Sequence, residues 1–230
     1  MTIYKYNNAK TLFFISGMFA GGWMWRKSHP QITNSEHWVL QEPLCAIDRS
    51  VNSLSDYLLK EIRKIEKPIT LIGNSLGSFV ALDIAAKAPD KVDGVVISGS
   101  AGFGQVNLNI KLSPHRSEQI SEHLFDCIFY DKAKITAPEK QKTADIFKNN
   151  FKNILGLIRE SNAVKAEELL PKVQCPVRAI WGRDDMITPY ETAETVCRKF
   201  DIPVSVIDRC GHSPMFEQPE RFAEKVNNLI

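Results

Sequence analysis

The chain lacks the cysteine pattern a disulfide framework needs. Its five cysteines, Cys45, Cys127, Cys175, Cys197 and Cys210, form an odd set without paired spacing, which reads as reduced thiols in a cytoplasmic protein. Cys210-x-His212 has no second pair at ligand spacing, so no metal site is expected. Net charge is also scarce. Twenty-nine Lys and Arg against 27 Asp and Glu leave +2, too little for an electrostatic case for nucleic acid, and no DNA- or RNA-binding motif accompanies it. No apolar run reaches the ~20 residues of a membrane span. Leu12 to Trp25, behind Lys5 and Lys10, could pass for a signal peptide, but Gly17, Gly21 and Gly22 interrupt it and no small-residue cleavage site follows. A buried strand entering a glycine-rich loop is the better reading.

What is present is an ordinary globular profile. With 230 residues, 43% apolar and 24% charged, the chain can bury one good core. Short apolar runs at Thr11–Ile15, Trp38–Leu40, Ile69–Ile72, Gly94–Ser98, Val177–Trp181 and Val204–Ile207 alternate with amphipathic segments at Ser53–Ile65, Gly77–Ala88, Pro189–Phe200 and Pro219–Leu229. That alternation predicts an α/β fold, a mostly parallel doubly wound sheet with right-handed crossovers. From Ser100 to Pro176 the strands stop. The text becomes helical over Ser117–Tyr130, Pro138–Asn150, Asn153–Arg159 and Ala163–Leu170, which marks an insertion in a single domain.

Gly73-Asn74-Ser75-Leu76-Gly77 sits between one of the apolar runs and a helical segment. In a strand that turns sharply into a helix, a central serine is held in a strained conformation with its hydroxyl exposed. The helix N-terminus then points backbone N–H groups at a developing oxyanion. Ser75 is the candidate nucleophile. It needs a base, and the base needs a carboxylate to orient it. The acid lies in Trp181-Gly182-Arg183-Asp184-Asp185, where a strand ends in an acidic turn, and the base is His212 in Gly211-His212-Ser213-Pro214.

The chain order Ser, Asp, His, with these flanks, resembles the α/β-hydrolase family. The likeness is carried by Gly73-Asn74-Ser75-Leu76-Gly77, by Trp181-Gly182-Arg183-Asp184-Asp185 through Pro189, and by Gly211-His212 with Glu217, Pro219 and Phe222. It implies a Gly-x-x-Asp acid at Asp185 rather than Asp184, and an oxyanion hole from the backbone N–H groups of Leu76 and Met18. It also implies that residues 1–100 and 177–230 form the core and that residues 101–176 form a helical lid. Three departures stand out: the N-terminal antiparallel hairpin is shortened or absent, Gln41-Glu42-Pro43-Leu44-Cys45 replaces a glycine-rich loop, and Ser16 stands where the family carries histidine.

The resemblance implies a serine hydrolase cleaving a carboxylic ester or thioester through an acyl-enzyme, without a cofactor. The blend of motifs is similar to carrier-protein methyl ester esterases on one side and to meta-cleavage product hydrolases on the other. A carbon–carbon bond hydrolase, a lyase, an acyltransferase or a non-catalytic ligand-binding member are the alternatives. Phe19, Trp23, Phe125 and Phe129 are the candidate pocket residues. Lys132, Lys134, Lys140, Lys142, Lys148 and Lys152 crowd part of the insertion, a basic face that an acidic acyl carrier protein would fit.

Overall fold

The computed structural model describes residues 1–4, 10–104 and 111–230; part of the expected insertion, 105–110, and Lys5 lie outside them. Seven strands form one sheet: β1 (Thr2–Tyr4), β2 (Lys10–Ile15), β3 (Ser35–Val39), β4 (Ile69–Asn74), β5 (Val92–Ser98), β6 (Val177–Gly182) and β7 (Val204–Ile207). Their spatial order is β1-β3-β2-β4-β5-β6-β7. All neighbours are parallel except β1, which runs antiparallel to β3 with Ile3 opposite Trp38. Among the described residues the antiparallel element at this edge is the three-residue β1.

β4 is buried along its whole length, as a central parallel strand covered on both faces must be. Along β2 the side chains alternate between two cores: Phe13 and Ile15 pack on one face with Leu71 and Ile97, Leu12 and Phe14 on the other with Ile72, Val96 and Phe222. This is the period of two expected of a strand. β3 begins three residues before the run Trp38–Leu40 suggested. Its inward positions Ser35 and His37 are fully buried polar residues, and the Ser35 hydroxyl lies 2.7 Å from His37 Nε2. That pair satisfies a polar stretch of strand that composition reads as loop.

The helices of the core are the short α1 (Leu44–Ile47), α2 (Val51–Ile62) and α3 (Leu76–Lys87). α1 begins at Leu44, within the stretch Gln41-Glu42-Pro43-Leu44-Cys45 that stands in place of a glycine-rich loop. α3 buries nine residues around its circumference, so its lack of an amphipathic face reflects burial on all sides. Between β5 and β6 lie α4 (Ser117–Ile128), α5 (Ala137–Asn149), α6 (Phe151–Ala163) and α7 (Ala166–Leu169). α5 starts on Thr136 with a reciprocal capping box to Glu139 and a proline in its first turn, which fixes where it begins. α8 (Tyr190–Lys199), α9 (Pro214–Glu217) and α10 (Pro219–Leu229) complete the chain. Among the described residues no helix is long and apolar enough to cross a membrane.

After β2 the chain moves outward to β3, then crosses back past β2 to enter β4. The loops leaving β2 and β4 therefore diverge at a topological switch point, where open α/β sheets form a crevice at the strand ends. Ser16 follows β2 and Ser75 follows β4.

Candidate active site

Ser75 has φ +56° and ψ −126°, a left-handed conformation that costs a non-glycine residue on the order of 1–3 kcal/mol. The surrounding backbone enforces it. Ser75 N–H donates to Ser98 O at 2.8 Å, and Ser75 O accepts from Ser78 N at 3.0 Å and Ala101 N at 3.2 Å. The turn closes only because its flanks lack side chains. A Cβ on Gly73 would stand 2.5 Å from Ser78 Cα, and one on Gly77 would stand 2.4 Å from the carbonyl oxygens of Ile15 and Ser16.

His212 is held from four directions. Its Nδ1 lies 3.0 and 2.9 Å from the two carboxylate oxygens of Asp185. A carboxylate only accepts, so Nδ1 carries the hydrogen and Nε2 is left as an acceptor. The His212 backbone N–H donates to Ile128 O at 2.7 Å, and its carbonyl accepts from Asn74 Nδ2 at 3.1 Å. Beneath the ring lies Gly99, at φ +54°, where a Cβ would meet His212 Nδ1 at 2.7 Å.

Asp185 is itself immobilised. Its Oδ1 accepts from the N–H groups of Ile187 and Thr188, each at 2.9 Å, and its Oδ2 accepts from Thr188 Oγ1 at 2.8 Å. Asp184 turns away, accepting from Cys210 N at 3.3 Å. The two adjacent aspartates are thus separated by geometry, and the one facing His212 is Asp185.

The loop after β2 is braced by the residue that departs from the family pattern. Ser16 Oγ donates to Gly21 O at 2.9 Å and accepts from Trp25 Nε1 at 2.8 Å. A single buried hydroxyl thereby closes the loop that carries Met18. The stretch after β3 packs back on it: Gly22 N donates to Gln41 O at 3.1 Å and Cys45 N to Met18 O at 3.3 Å.

These elements enclose a cavity of about 290 Å³ lined by Met18, Phe19, Trp23, Ser75, Leu76, Phe125, Phe129 and His212 among others. The candidate pocket aromatics therefore share one wall system with Ser75 and His212. Phe125 and Phe129 stack at 5.6 Å between centroids, and Trp23 meets Phe216 edge-on at 5.6 Å. Asp185 stands behind His212, off the cavity surface. Among the described residues that line it, none is Asp, Glu, Lys or Arg.

Asn74, Gly99, Thr188 and the Ser16–Trp25 bond were not singled out by sequence reasoning as parts of the site. Thr188 had a signal, a hydroxyl three residues after an aspartate and just before Pro189, the spacing at which short polar side chains close turns. Asn74 had none beyond its place beside Ser75. Of the crowded lysines, Lys132 pairs with Asp126 at 2.9 Å and Lys140 with Glu122 at 3.7 Å. Lys142 lies over the Trp23 ring at 5.8 Å, while Lys134 Nζ donates to Glu217 O at 2.5 Å. Cys45 and Cys197 are buried thiols pushed up to about 12 by desolvation. No group of three or more metal-ligand side chains occurs among the described residues.

A strained serine at the strand-to-helix turn of a mostly parallel sheet, opening on the cavity that His212 lines, defines the architecture of an α/β-hydrolase. The family model described as "Alpha/beta hydrolase family" matches residues 12–225, and the chain belongs to that family. It is 26% identical over 208 residues to the human monoacylglycerol lipase ABHD6, covering 80% of this chain and 61% of that protein. It is 27% identical over 194 residues to the 2-hydroxy-6-oxo-6-(2'-aminophenyl)hexa-2,4-dienoic acid hydrolase of Metapseudomonas resinovorans, covering 80% of this chain and 66% of that protein. The chain thus spans less than two thirds of the length of either relative. Its fold is shared with a bacterial membrane phospholipase A, at a TM-score of 0.81 and 22% identity over 98% of this chain and 80% of the other.

Proposed function

We propose that the chain is a serine hydrolase that cleaves an uncharged carboxylic ester or thioester through an acyl-enzyme on Ser75. The observation that carries this reading is that the strained Ser75 and the Asp185-backed His212 line one apolar cavity. Ser75 Oγ attacks the carbonyl carbon while His212 Nε2 takes its proton. The oxygen that gains charge is held by the backbone N–H groups of Met18 and Leu76, worth roughly 10²–10³ in rate per donor. His212 returns the proton to the leaving alcohol or thiol, and water, activated by the same imidazole, releases the acid. Asp185 keeps the tautomer and stabilises the imidazolium. The helices between β5 and β6 act as the lid, with Phe125 and Phe129 forming its inner wall.

The relatives point in two chemical directions, a neutral glycerol ester and a dienoic acid. A bound carboxylate in a desolvated site calls for a paired cation, and the described residues of this cavity wall supply no Lys or Arg. That favours the neutral ester over carbon–carbon cleavage of a dienoate. Docking of an acyl carrier protein on the lysine-rich helices is a weaker proposal, since two of those lysines are already paired with acids. A cytoplasmic setting belongs to the same reading, supported by five free thiols.

The test is turnover of p-nitrophenyl esters of graded acyl length, with a hemisuccinate ester of similar size and a Ser75→Ala control. The expected result is Ser75-dependent hydrolysis with an optimum in acyl length and a much poorer rate for the charged acyl group. Solvent oxygen should appear in the acid product; its absence would point to transfer or elimination. Faster turnover of the charged ester would overturn the substrate class.

A further inference from the structure

Glu217 does not line the cavity, yet its carboxylate is committed to the site. The residue is 1% exposed, and its two oxygens carry three backbone donors. Oε2 accepts from Gly211 N at 2.9 Å and from Tyr130 N at 3.2 Å, while Oε1 accepts from Asp131 N at 2.8 Å. Gly211 is the residue before His212. Tyr130 and Asp131 follow the end of α4, the helix that presents Phe125 and leads into Phe129. A fourth bond runs alongside these three, from His212 N to Ile128 O at 2.7 Å. Two consecutive amides of the histidine loop are therefore tied to the end of α4, one directly and one through the Glu217 side chain.

A buried carboxylate needs donors to offset its lost hydration, and backbone amides that converge on one also gain geometric definition. Here the three donors come from two segments, Tyr130–Asp131 and Gly211, that are distant in sequence. Each segment supplies something the chemistry uses: one carries the base, the other carries an aromatic wall. We propose that Glu217 is a positioning residue that locks the end of α4 to the His212 loop, so that the cavity wall and the imidazole keep one relative placement. The proposal rests on the acyl-enzyme reading for its kinetic consequence, but the geometry it describes can be measured without turnover.

Glu217→Gln keeps the size of the side chain and one full acceptor, but turns an NH₂ group toward an amide N–H. Loss of placement by a fraction of an ångström to one ångström costs up to about 10²-fold in rate, so kcat should fall by roughly 10- to 100-fold while KM moves far less. The direct readout is the far-downfield proton resonance of the His212 Nδ1–H···Asp185 bond, which should shift or broaden. Glu160→Gln is the control, since Glu160 Oε2 also accepts from a backbone amide, Val51 N at 2.6 Å, away from Ser75 and His212. It should lower thermal stability and leave the resonance and kcat unchanged.

Should Glu217→Gln not fold, Tyr130→Pro removes one donor from the opposite side. Phe129 has φ −113° and ψ 133°, the extended conformation a residue before proline prefers, and the Tyr130 side chain is half exposed. That protein should show the same resonance change and a several-fold loss in kcat. If either folded variant keeps the wild-type resonance and wild-type kcat, Glu217 is not a positioning residue. If wild-type protein turns over no ester but the resonance still responds to Glu217, the acyl-enzyme reading fails and the positioning role stands.

Discussion

Asn74 and His212, 138 positions apart in sequence, are joined by a hydrogen bond from Asn74 Nδ2 to the His212 carbonyl at 3.1 Å. The same amide also donates to Ser98 O at 3.3 Å. The residue next to the strained serine thus holds the backbone of the imidazole opposite it, and the spacing of the two is set by the last residue of β4.

Asn74→Ala should separate these two roles. Ser98 O keeps its bonds from Ser75 N and Ser78 Oγ, whereas the His212 carbonyl loses its side-chain donor. A buried acceptor left unpaired costs about 1–3 kcal/mol, or about 2–4 °C in Tm per kcal/mol for a chain of this size. Ester turnover should fall by about tenfold through kcat. Calorimetry and steady-state kinetics on the purified variant check both.

Ser16→Ala should damage the loop that carries Met18 without touching Ser75. It strips Gly21 O of one of its two donors, the Met24 N–H remaining at 3.1 Å, and leaves the buried Trp25 indole N–H without its acceptor. The expected outcome is a stability loss of about 1–3 kcal/mol and a kcat loss approaching that of one missing oxyanion donor, roughly 10²-fold. Restoration to near wild-type turnover by Ser16→Thr, which keeps the hydroxyl, would distinguish bracing from simple packing.

Gly99→Ala and Gly94→Ala form a matched pair. At Gly99 the added methyl meets the His212 ring at 2.7 Å and the backbone sits at φ +54°; at Gly94 it meets the Thr70 side chain at 3.4 Å and Pro176 O at 3.9 Å, both ordinary contacts. The first should cut kcat by more than tenfold, because the ring must move off its bond to Asp185. The second should leave kcat within about twofold of wild type. Equal kinetics in the two proteins would contradict the packing of His212 against Gly99.

Acid should destabilise the fold through a pair of histidines remote from Ser75. Burial lowers His29 to about 4, and burial together with the neighbouring His29 lowers His37 to about 4. Both are neutral in either state from about pH 7.5 upward, so their contribution is constant there. Between pH 6.5 and 4 the unfolded chain binds more protons, and stability falls as pH drops. The loss for the pair grows to on the order of 3 kcal/mol as pH approaches 4. His29 Nδ1 has no hydrogen-bond partner among the described residues, and its ring sits 4.4 Å from Tyr4 and 6.2 Å from Phe14. His29→Phe should therefore flatten the Tm profile over that window.

The sheet and the position of Ser75 were legible because local signals agree there. The apolar run of β4, two glycines that only a tight turn requires, and the helical segment that follows them all point to one strand, turn and helix. The choice of Asp185 over Asp184 came from family spacing alone, and its physical cause, the three donors from Ile187 and Thr188, became visible only in three dimensions. β3 was read short because Ser35 and His37 face inward, and inward polar residues look like loop until their partner is known. The bonds from Asn74 to His212 and from Glu217 to Gly211, Tyr130 and Asp131 had no sequence signature as partners, since each depends on the sheet bringing distant segments together. Ser16, a departure from the family pattern in sequence, is a brace in the fold.

The most direct test of the account is covalent labelling by a fluorophosphonate, read by intact mass and peptide mapping. Wild-type protein should gain one adduct, located on Ser75, at a rate that falls at least a hundredfold in His212→Ala and to background in Ser75→Ala, with all three proteins folded. Absence of an adduct on folded wild-type protein, or an adduct that persists in Ser75→Ala, would contradict it.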